Sequence, residues 1–419
     1  MKTLLAATAF ILAATPVLAD EPDGLKLPSG FHASVVAEGL GAIRHLAVRD
    51  NGDLYVSTAR ARTGIGGGVI AIKMNADHTA GQTEHFGIVD GGTGIRFYHG
   101  ALYASSPSRI YRIALPKNAL VPKSGDEPQV VVDGMPAMNG STNRQIAFDT
   151  KGNLYVAVSG SGNFCPDPAT PKGATPVGLK PCPDMGKRAG VWRFSATKLN
   201  QQFPASGEQI ATGLRDLSSL DWSPADNSLY LIVHGRDGVH QGWPAISQAD
   251  DDAIADEMHK IAKGTDIGWP YTYYDGVKKQ RLVAPEYGGD GKTVATGNYD
   301  APVATFQNTR AAPVDLVFYT GKQFPAEYRN GAFVIRHGVG GAQSPTGKNG
   351  YDVVFIPFDK NGKAGDAKSF ADGFAGPTNA SKNNGKAAYR PVGAAVALDG
   401  SLYIADSNKG RIWRISYGN

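Results

Sequence analysis

Much of what marks the common catalytic folds is missing from this sequence. Among 419 residues there are two cysteines, Cys165 and Cys182. Two thiols alone do not furnish a structural zinc site. No Gly-x-Gly-x-x-Gly follows a strand pattern, and there is no Walker loop, no His-Glu-x-x-His and no Gly-x-Ser-x-Gly. A dinucleotide cradle, a zincin helix and a serine-hydrolase elbow are thereby set aside. Neither sign of charge is in excess: 42 basic side chains face 38 acidic ones. That balance predicts no nucleic-acid partner and no attraction to a membrane surface. The apolar run from Leu4 to Ala14 is too short for a comfortable membrane span, so no stable membrane insertion is expected. It follows Lys2 and precedes Val17-Leu18-Ala19, a small-residue cleavage site before Asp20. Residues 1–19 therefore read as a signal peptide, and the mature chain as periplasmic or secreted. In such a compartment Cys165 and Cys182 are expected to close a disulfide. It would constrain about 16 residues and stabilise the fold by up to about 3 kcal/mol.

What is present is a recurring phrase. Asn51-Gly52-Asp53-Leu54-Tyr55-Val56 returns as Gly100 to Ala104, Lys151 to Val156, Asp226 to Leu231 and Asp399 to Ile404, with a weaker copy at Asn330 to Val334. Each is a polar turn running into an apolar strand, and Asn-Gly or Asp-Gly supplies the positive φ of a hairpin. Another apolar strand precedes several copies, as at His45 to Val48, Gln145 to Phe148 and Gly393 to Ala397. A third often follows, as at Ile110 to Ile113, Val191 to Phe194 and Arg411 to Ile415. One such unit cannot bury both faces of its sheet, whereas six arranged radially can. The expected fold is all-β, a six-bladed β-propeller with insertion loops roofing one face. No linker divides residues 20–419, which read as a single domain. The lone strand Leu27 to Val36 is expected to close the ring by joining the last blade.

Gly160–Lys187, Gly235–Trp269, Gly340–Asn349 and Gly373–Lys386 read as loops, the second holding a helix over Asp251–Lys263 with Ile254, Met258 and Ile261 on one face. The acids Asp250, Asp251, Asp252, Asp256 and Glu257 read as a solvated helix N-terminus. Basic residues stand at the blade junctions: Arg144, Arg215, Arg236, Arg336 and Arg390. A ring of arginines on one pocket would hold an anionic ligand with carboxylates or phosphates.

The phrases Gly213-Leu214-Arg215, Arg236-Asp237-Gly238, Ile267 to Tyr274, Phe318 to Phe333, and Arg390-Pro391-Val392-Gly393 through Ile415 carry a resemblance. Over nearly the whole mature chain the sequence resembles the sorbosone and soluble quinoprotein sugar dehydrogenases. The resemblance implies a six-bladed propeller with pyrroloquinoline quinone (PQQ) and calcium, a sugar or aldehyde substrate and an external electron acceptor. It implies cofactor contacts from Arg215, Arg336 and Arg390, and calcium-binding backbone carbonyls at Arg236 and Asp237. The family's base is a His in a Gly-His-x-x-Arg phrase. Here Gly140-Ser141-Thr142-Asn143-Arg144 puts Ser141 in its place, with Arg144 beside it in the substrate pocket. No histidine lies between His99 and His234. Losing a positioned base costs about a hundredfold to ten-thousandfold. Asp216, His234 and His337 are candidate replacements. Two alternatives stand beside dehydrogenation: a ligand-binding propeller of the same family with little or no catalysis, and a metal-dependent lactone hydrolase.

Overall fold

A computed structural model describes residues 19–20, 24–58, 68–87, 91–137, 144–236, 238–306, 311–338, 350–382 and 385–418. Six blades, each built on four antiparallel strands, follow one another along the chain, and the second and third each carry a short fifth strand paired parallel, Gln201–Gln202 and Thr265–Asp266. Their innermost strands are Ile43–Val48, Ile95–Tyr98, Ile146–Phe148, Asp216–Ser223, Pro313–Phe318 and Pro391–Val396. The recurring phrase supplies the second strand of every blade: Leu54–Thr58, Ala101–Ser105, Asn153–Val158, Ser228–His234, Gly331–Arg336 and Leu402–Asp406. The turn glycines Gly52, Gly152 and Gly400 hold φ of 90°, 89° and 89°, a left-handed region that a Cβ disfavours.

The second strands are buried almost without interruption, and packing gives the reason. Alternate side chains of one strand face opposite neighbours. In the first blade Leu54 and Val56 pack towards the sixth blade, while Tyr55 packs towards the second. The same division yields an apolar cluster at each of the six interfaces between adjacent blades. A blade with both faces covered needs apolar residues at odd and even positions alike.

The N-terminal strand, Phe31–Ala37, pairs antiparallel with Ile412–Tyr417 and completes the sixth blade. It therefore closes the ring, as expected. Phe31 anchors it against Phe324 and Phe370, at ring-centroid distances of 4.8 and 5.1 Å. The Phe318–Phe333 phrase serves this same packing. Tyr319 donates its hydroxyl to the Gly400 carbonyl at 2.6 Å and accepts the Phe324 N–H at 2.9 Å.

One expected element is different. The helix covers Gln248–Ala253, not Asp251–Lys263, and Asp256–Ile261 is the third strand of the fourth blade. Ser247 caps the helix and forms a capping box with Asp250. Met258 packs towards the fifth blade and Ile261 towards the third, so a helix-like spacing served two opposite strand faces. The acids also divide. Asp250 caps the helix, but Asp251, Asp256 and Glu257 are buried.

The described insertions gather where the innermost strands begin; Gly340–Asn349 lies outside the described residues. Cys165 and Cys182 are bonded. The indole N–H of Trp269 donates to the carbonyls of Gly162 and Asn163, and the Cys182 N–H donates to the Tyr271 hydroxyl. The Gly-Trp-Pro-Tyr phrase thus ties two insertions together. Among the described residues no helix is long and apolar enough to cross a membrane.

Candidate active site

The site lies where first strands start and second strands end. Strand pairing sets Asp216 opposite His234, Pro313 opposite Arg336, and Pro391 opposite Asp406, on three consecutive blades. Around this mouth the arginines have separate fates.

Arg215 donates to the Gly235 carbonyl at 2.5 Å, beneath the Gly235–Arg236 loop. Arg336 is held by Asp352 through two hydrogen bonds, Nε to Oδ1 at 2.7 Å and Nη2 to Oδ2 at 2.5 Å. Those two residues are register partners on adjacent strands, so the Arg336 charge is met within its own blade. The expectation that Arg336 offers its charge to a ligand does not fit this pairing. Arg144 is 2% exposed and donates to the carbonyls of Ala157, Pro107 and Pro136. Burial pushes its pKa down to about 10. It braces the third blade, and its guanidinium does not reach into a substrate pocket. Arg236 is likewise buried, in a two-point ion pair with Glu286. Ser141 and Asp237 lie outside the described residues.

Arg390 remains at the mouth. It donates to Nδ1 of His337 at 2.7 Å and to the Gly338 carbonyl at 2.6 Å. With Nδ1 accepting, His337 carries its proton on Nε2 and donates it to the Ser407 hydroxyl at 2.8 Å. Burial, then the charges of Arg390, Arg44 and His234, hold the His337 pKa well below the usual imidazole value. Its ring is neutral, and both nitrogens are engaged.

Arg44, on the innermost strand of the first blade, went unnoticed in the sequence. Among the described residues its one side-chain hydrogen bond is to the neighbouring Ile43 carbonyl, at 3.4 Å, and it makes no ion pair. Burial lowers its pKa; burial lowers that of Arg390 too, and the Arg44 charge adds to that lowering. The signal was positional. Arg44 opens its blade as Arg215 and Arg390 open theirs.

Opposite these cations stands Asp216, whose side chain is 37% exposed. Its Oδ2 lies 3.4 Å from Nδ1 of His234, and Nε2 of His234 donates to the Pro313 carbonyl at 2.8 Å. Burial alone would lower the His234 pKa, but the bond to Asp216 and the charges of Asp256 and Asp216 raise it to about 9. Burial alone would raise the Asp216 pKa, but the bond to His234 and the charges of His234 and Arg215 hold it below the usual carboxyl value. At neutral pH the pair is a carboxylate and an imidazolium. Among the described residues, no three carboxylate or imidazole groups converge at this mouth closely enough to share a metal. That arrangement gives the hydrolase alternative no support.

These features define a six-bladed propeller whose mouth gathers arginine side chains beside a partly exposed carboxylate, Asp216. Residues 25–418 match the TrAA12-like family model, and the chain belongs to that family. Its fold is shared with a Trichoderma reesei enzyme of carbohydrate-active enzyme family AA12 (TM-score 0.75, 16% identity, 98% of this chain and 100% of that one). It is shared too with the PQQ domain of a Coprinopsis cinerea pyranose dehydrogenase (TM-score 0.71, 16% identity, 94% and 97%). A PQQ-bound aldose sugar dehydrogenase of Streptomyces coelicolor is also similar (TM-score 0.58, 18% identity, 93% and 99%). The relation to soluble quinoprotein sugar dehydrogenases read from the sequence is thereby borne out.

Proposed function

We propose that the chain is an exported, PQQ- and calcium-dependent dehydrogenase that oxidises a sugar or aldehyde hydrate and passes the electrons to an external acceptor. One observation carries this reading. Positive charges on the first, fourth and sixth blades act together on His337 of the fifth, and among the described residues no carboxylate pairs with Arg44. Cations left close together favour a polyanionic ligand, and PQQ carries three carboxylates. Arg44 and Arg390 would hold those carboxylates, with His337 kept in place between Arg390 and Ser407. For calcium, an oxygen-rich loop suits a hard cation. Gly235 donates its N–H to buried Asp256, the Arg236 side chain is fixed by Glu286, and the N–H groups of Gly238 and Val239 go to buried Asp251. With those donors engaged, the backbone carbonyls of Arg236 and Asp237 are the groups we assign to the ion. Bound together, the quinone supplies a two-electron acceptor for hydride and calcium a Lewis acid.

Asp216 is the group we assign to take the hydroxyl proton of the substrate, with His234 as its positioning residue. His234 is already protonated, and His337 has both nitrogens engaged. A carboxylate held below its usual pKa is a weak base. It suits an anomeric hydroxyl or an aldehyde hydrate, which are more acidic than a simple alcohol.

The test is calorimetric titration of the mature protein with PQQ, with and without calcium, followed by dye reduction with aldoses and sorbosone. Calcium-dependent binding with turnover, lost in Asp216→Asn without loss of PQQ binding, is the expected result. Binding without turnover on any of these substrates would favour the non-catalytic alternative, which the weakness of Asp216 as a base makes specific. Absence of PQQ binding would overturn the reading.

A further inference from the structure

The channel has a second mouth, at the end opposite the arginines. There the innermost strands of all six blades enclose a cavity of about 620 Å³. This is within the roughly 300–1,000 Å³ range of small-ligand sites. Its wall is built, not incidental. Trp222 lies parallel to Tyr155, with ring centroids 5.8 Å apart and planes 15° apart. Tyr98 lies parallel to Phe148 at 4.5 Å and 13°. Stacking across the blade interface fixes each ring, and Tyr155 is further held by its hydroxyl donating to Asp149.

Between these rings stand one cation and one carboxyl group. Arg96 donates to the Ile95 carbonyl at 2.9 Å and reaches towards the Leu220 carbonyl at 3.5 Å. Asp221 accepts the Phe318 N–H at 2.9 Å. Among the described residues neither forms an ion pair. Burial raises the Asp221 pKa to about 6, even with the opposing charge of Arg96 nearby.

We propose that this second mouth binds a neutral sugar ring. An anion would find one arginine offset by Asp221, and a cation would meet Arg96. An apolar ligand would bury the hydrogen-bonding capacity that each group still has beyond those backbone contacts, at a cost of about 1–3 kcal/mol each. A pyranose meets every demand of the wall. Its C–H face covers the Trp222 ring, and its hydroxyls accept from Arg96 and donate to Asp221.

The second mouth is separated from the first by a buried polar layer across the channel. His45, Thr93, Gln145, Ser219 and Asp315, from five innermost strands or their entrances, are all at most 6% exposed. The His45 ring lies 3.0 Å from the Thr93 carbonyl and 3.7 Å from Asp315, and the Ser219 hydroxyl is 3.4 Å from the same Asp315 oxygen. The inference therefore stands apart from the quinone reading.

The experiment titrates the full mature chain with D-glucose, maltose and cellobiose, read by calorimetry and saturation-transfer NMR across the millimolar range. Trp222→Ala should weaken binding by roughly tenfold or more, and Asp221→Asn by several-fold. Asp221→Asn keeps an acceptor for the Phe318 N–H, so it tests the site even where Trp222→Ala fails to fold. Arg44→Gln, at the other mouth, should leave this binding unchanged. No binding of any of the three sugars would overturn the proposal. So would binding that survives both far-mouth variants, or binding lost only in Arg44→Gln.

Discussion

Arg44 and Arg144 make a pair whose substitutions should act with opposite sign. Each opens the innermost strand of its blade, and each is kept partly or wholly from water. Arg144 delivers three hydrogen bonds to main-chain carbonyls, whereas Arg44 has one long bond to its neighbour. Arg144→Gln would leave buried carbonyls without donors at about 1–3 kcal/mol each, a loss of about 3 kcal/mol or more. Arg44→Gln removes a cation that burial disfavours and that repels Arg390. The cofactor-free fold should then hold its stability or gain up to about 1 kcal/mol, as when functional strain is relieved. PQQ affinity should move the other way. A charge-assisted hydrogen bond contributes about 1.5–3 kcal/mol. Its loss in Arg44→Gln means roughly a ten- to hundredfold weaker Kd, while Arg144→Gln should bind PQQ as the parent does. Denaturant unfolding without PQQ and calorimetric titration with it measure both quantities. If Arg44→Gln lowered the stability of the cofactor-free protein as much as Arg144→Gln, or left the Kd unchanged, the assignment of Arg44 to ligand binding would be refuted.

Three further outcomes are expected. Asp216→Asn should lower kcat by about a hundredfold to ten-thousandfold with little change in PQQ affinity, in stopped-flow dye reduction. Phe31→Ala should cost about 3–5 kcal/mol in denaturant unfolding, because it cuts an aromatic anchor that is 1% exposed out of the closing strand. Asp221 gives a pH dependence. Its folded pKa, about 6, lies above the ordinary 3.8, so the folded state holds the proton more tightly. The stability this contributes is present below pH 4 and is lost as pH rises through 6. Asp221→Asn should therefore match the parent near pH 4 and exceed it at pH 8, by up to about 2–3 kcal/mol, in unfolding measured across pH. A constant difference across that window would show that Asp221 does not titrate as described.

The strand order was legible because it rests on local chemistry. A turn residue and the apolar run behind it lie within six or so positions, and all six second strands could be found that way. The ring-closing strand was legible too, since a single apolar strand without a hairpin partner has to find an edge. The third strand of the fourth blade was hidden by its own polar residues. Asp256, Glu257 and His259 are buried there, and Glu257 is met by His259 at 3.0 Å and by Arg281 at 2.5 Å. A strand carrying three buried polar residues reads as a helix surface until its partners are known. The partners of the arginines were hidden for the same reason. Position alone marked Arg215, Arg336 and Arg390, but Asp352 neutralises Arg336 through a strand register that sequence does not disclose. The carbonyl partners of Arg144 come from two other loops and one strand. Whether a junction arginine serves the fold or a ligand depends on what the fold places beside it.

That distinction also explains why chemistry concentrates at one end of the ring. Innermost strands converge on the axis, where each blade can offer one side chain per level. At the middle level the contributions satisfy one another, with Asp315 accepting the Leu316 and Ala394 N–H groups and standing near His45 and Ser219. A layer so buried and cross-linked closes the channel between the two mouths. At the level of the strand entrances the contributions do not cancel. Arg44, Arg390 and the imidazolium of His234 all act on one neutral histidine; Asp216 meets His234, while Asp352 is engaged by Arg336, Asp256 by Gly235 and Asp251 by the Gly238–His240 turn. The uncompensated charge at that level belongs to the cofactor-free protein. It costs stability in a way that a polyanionic ligand would reverse, so PQQ should raise the unfolding temperature of the parent more than that of Arg44→Gln. Equal shifts in the two proteins would mean that the charge at this mouth is balanced by something other than the ligand.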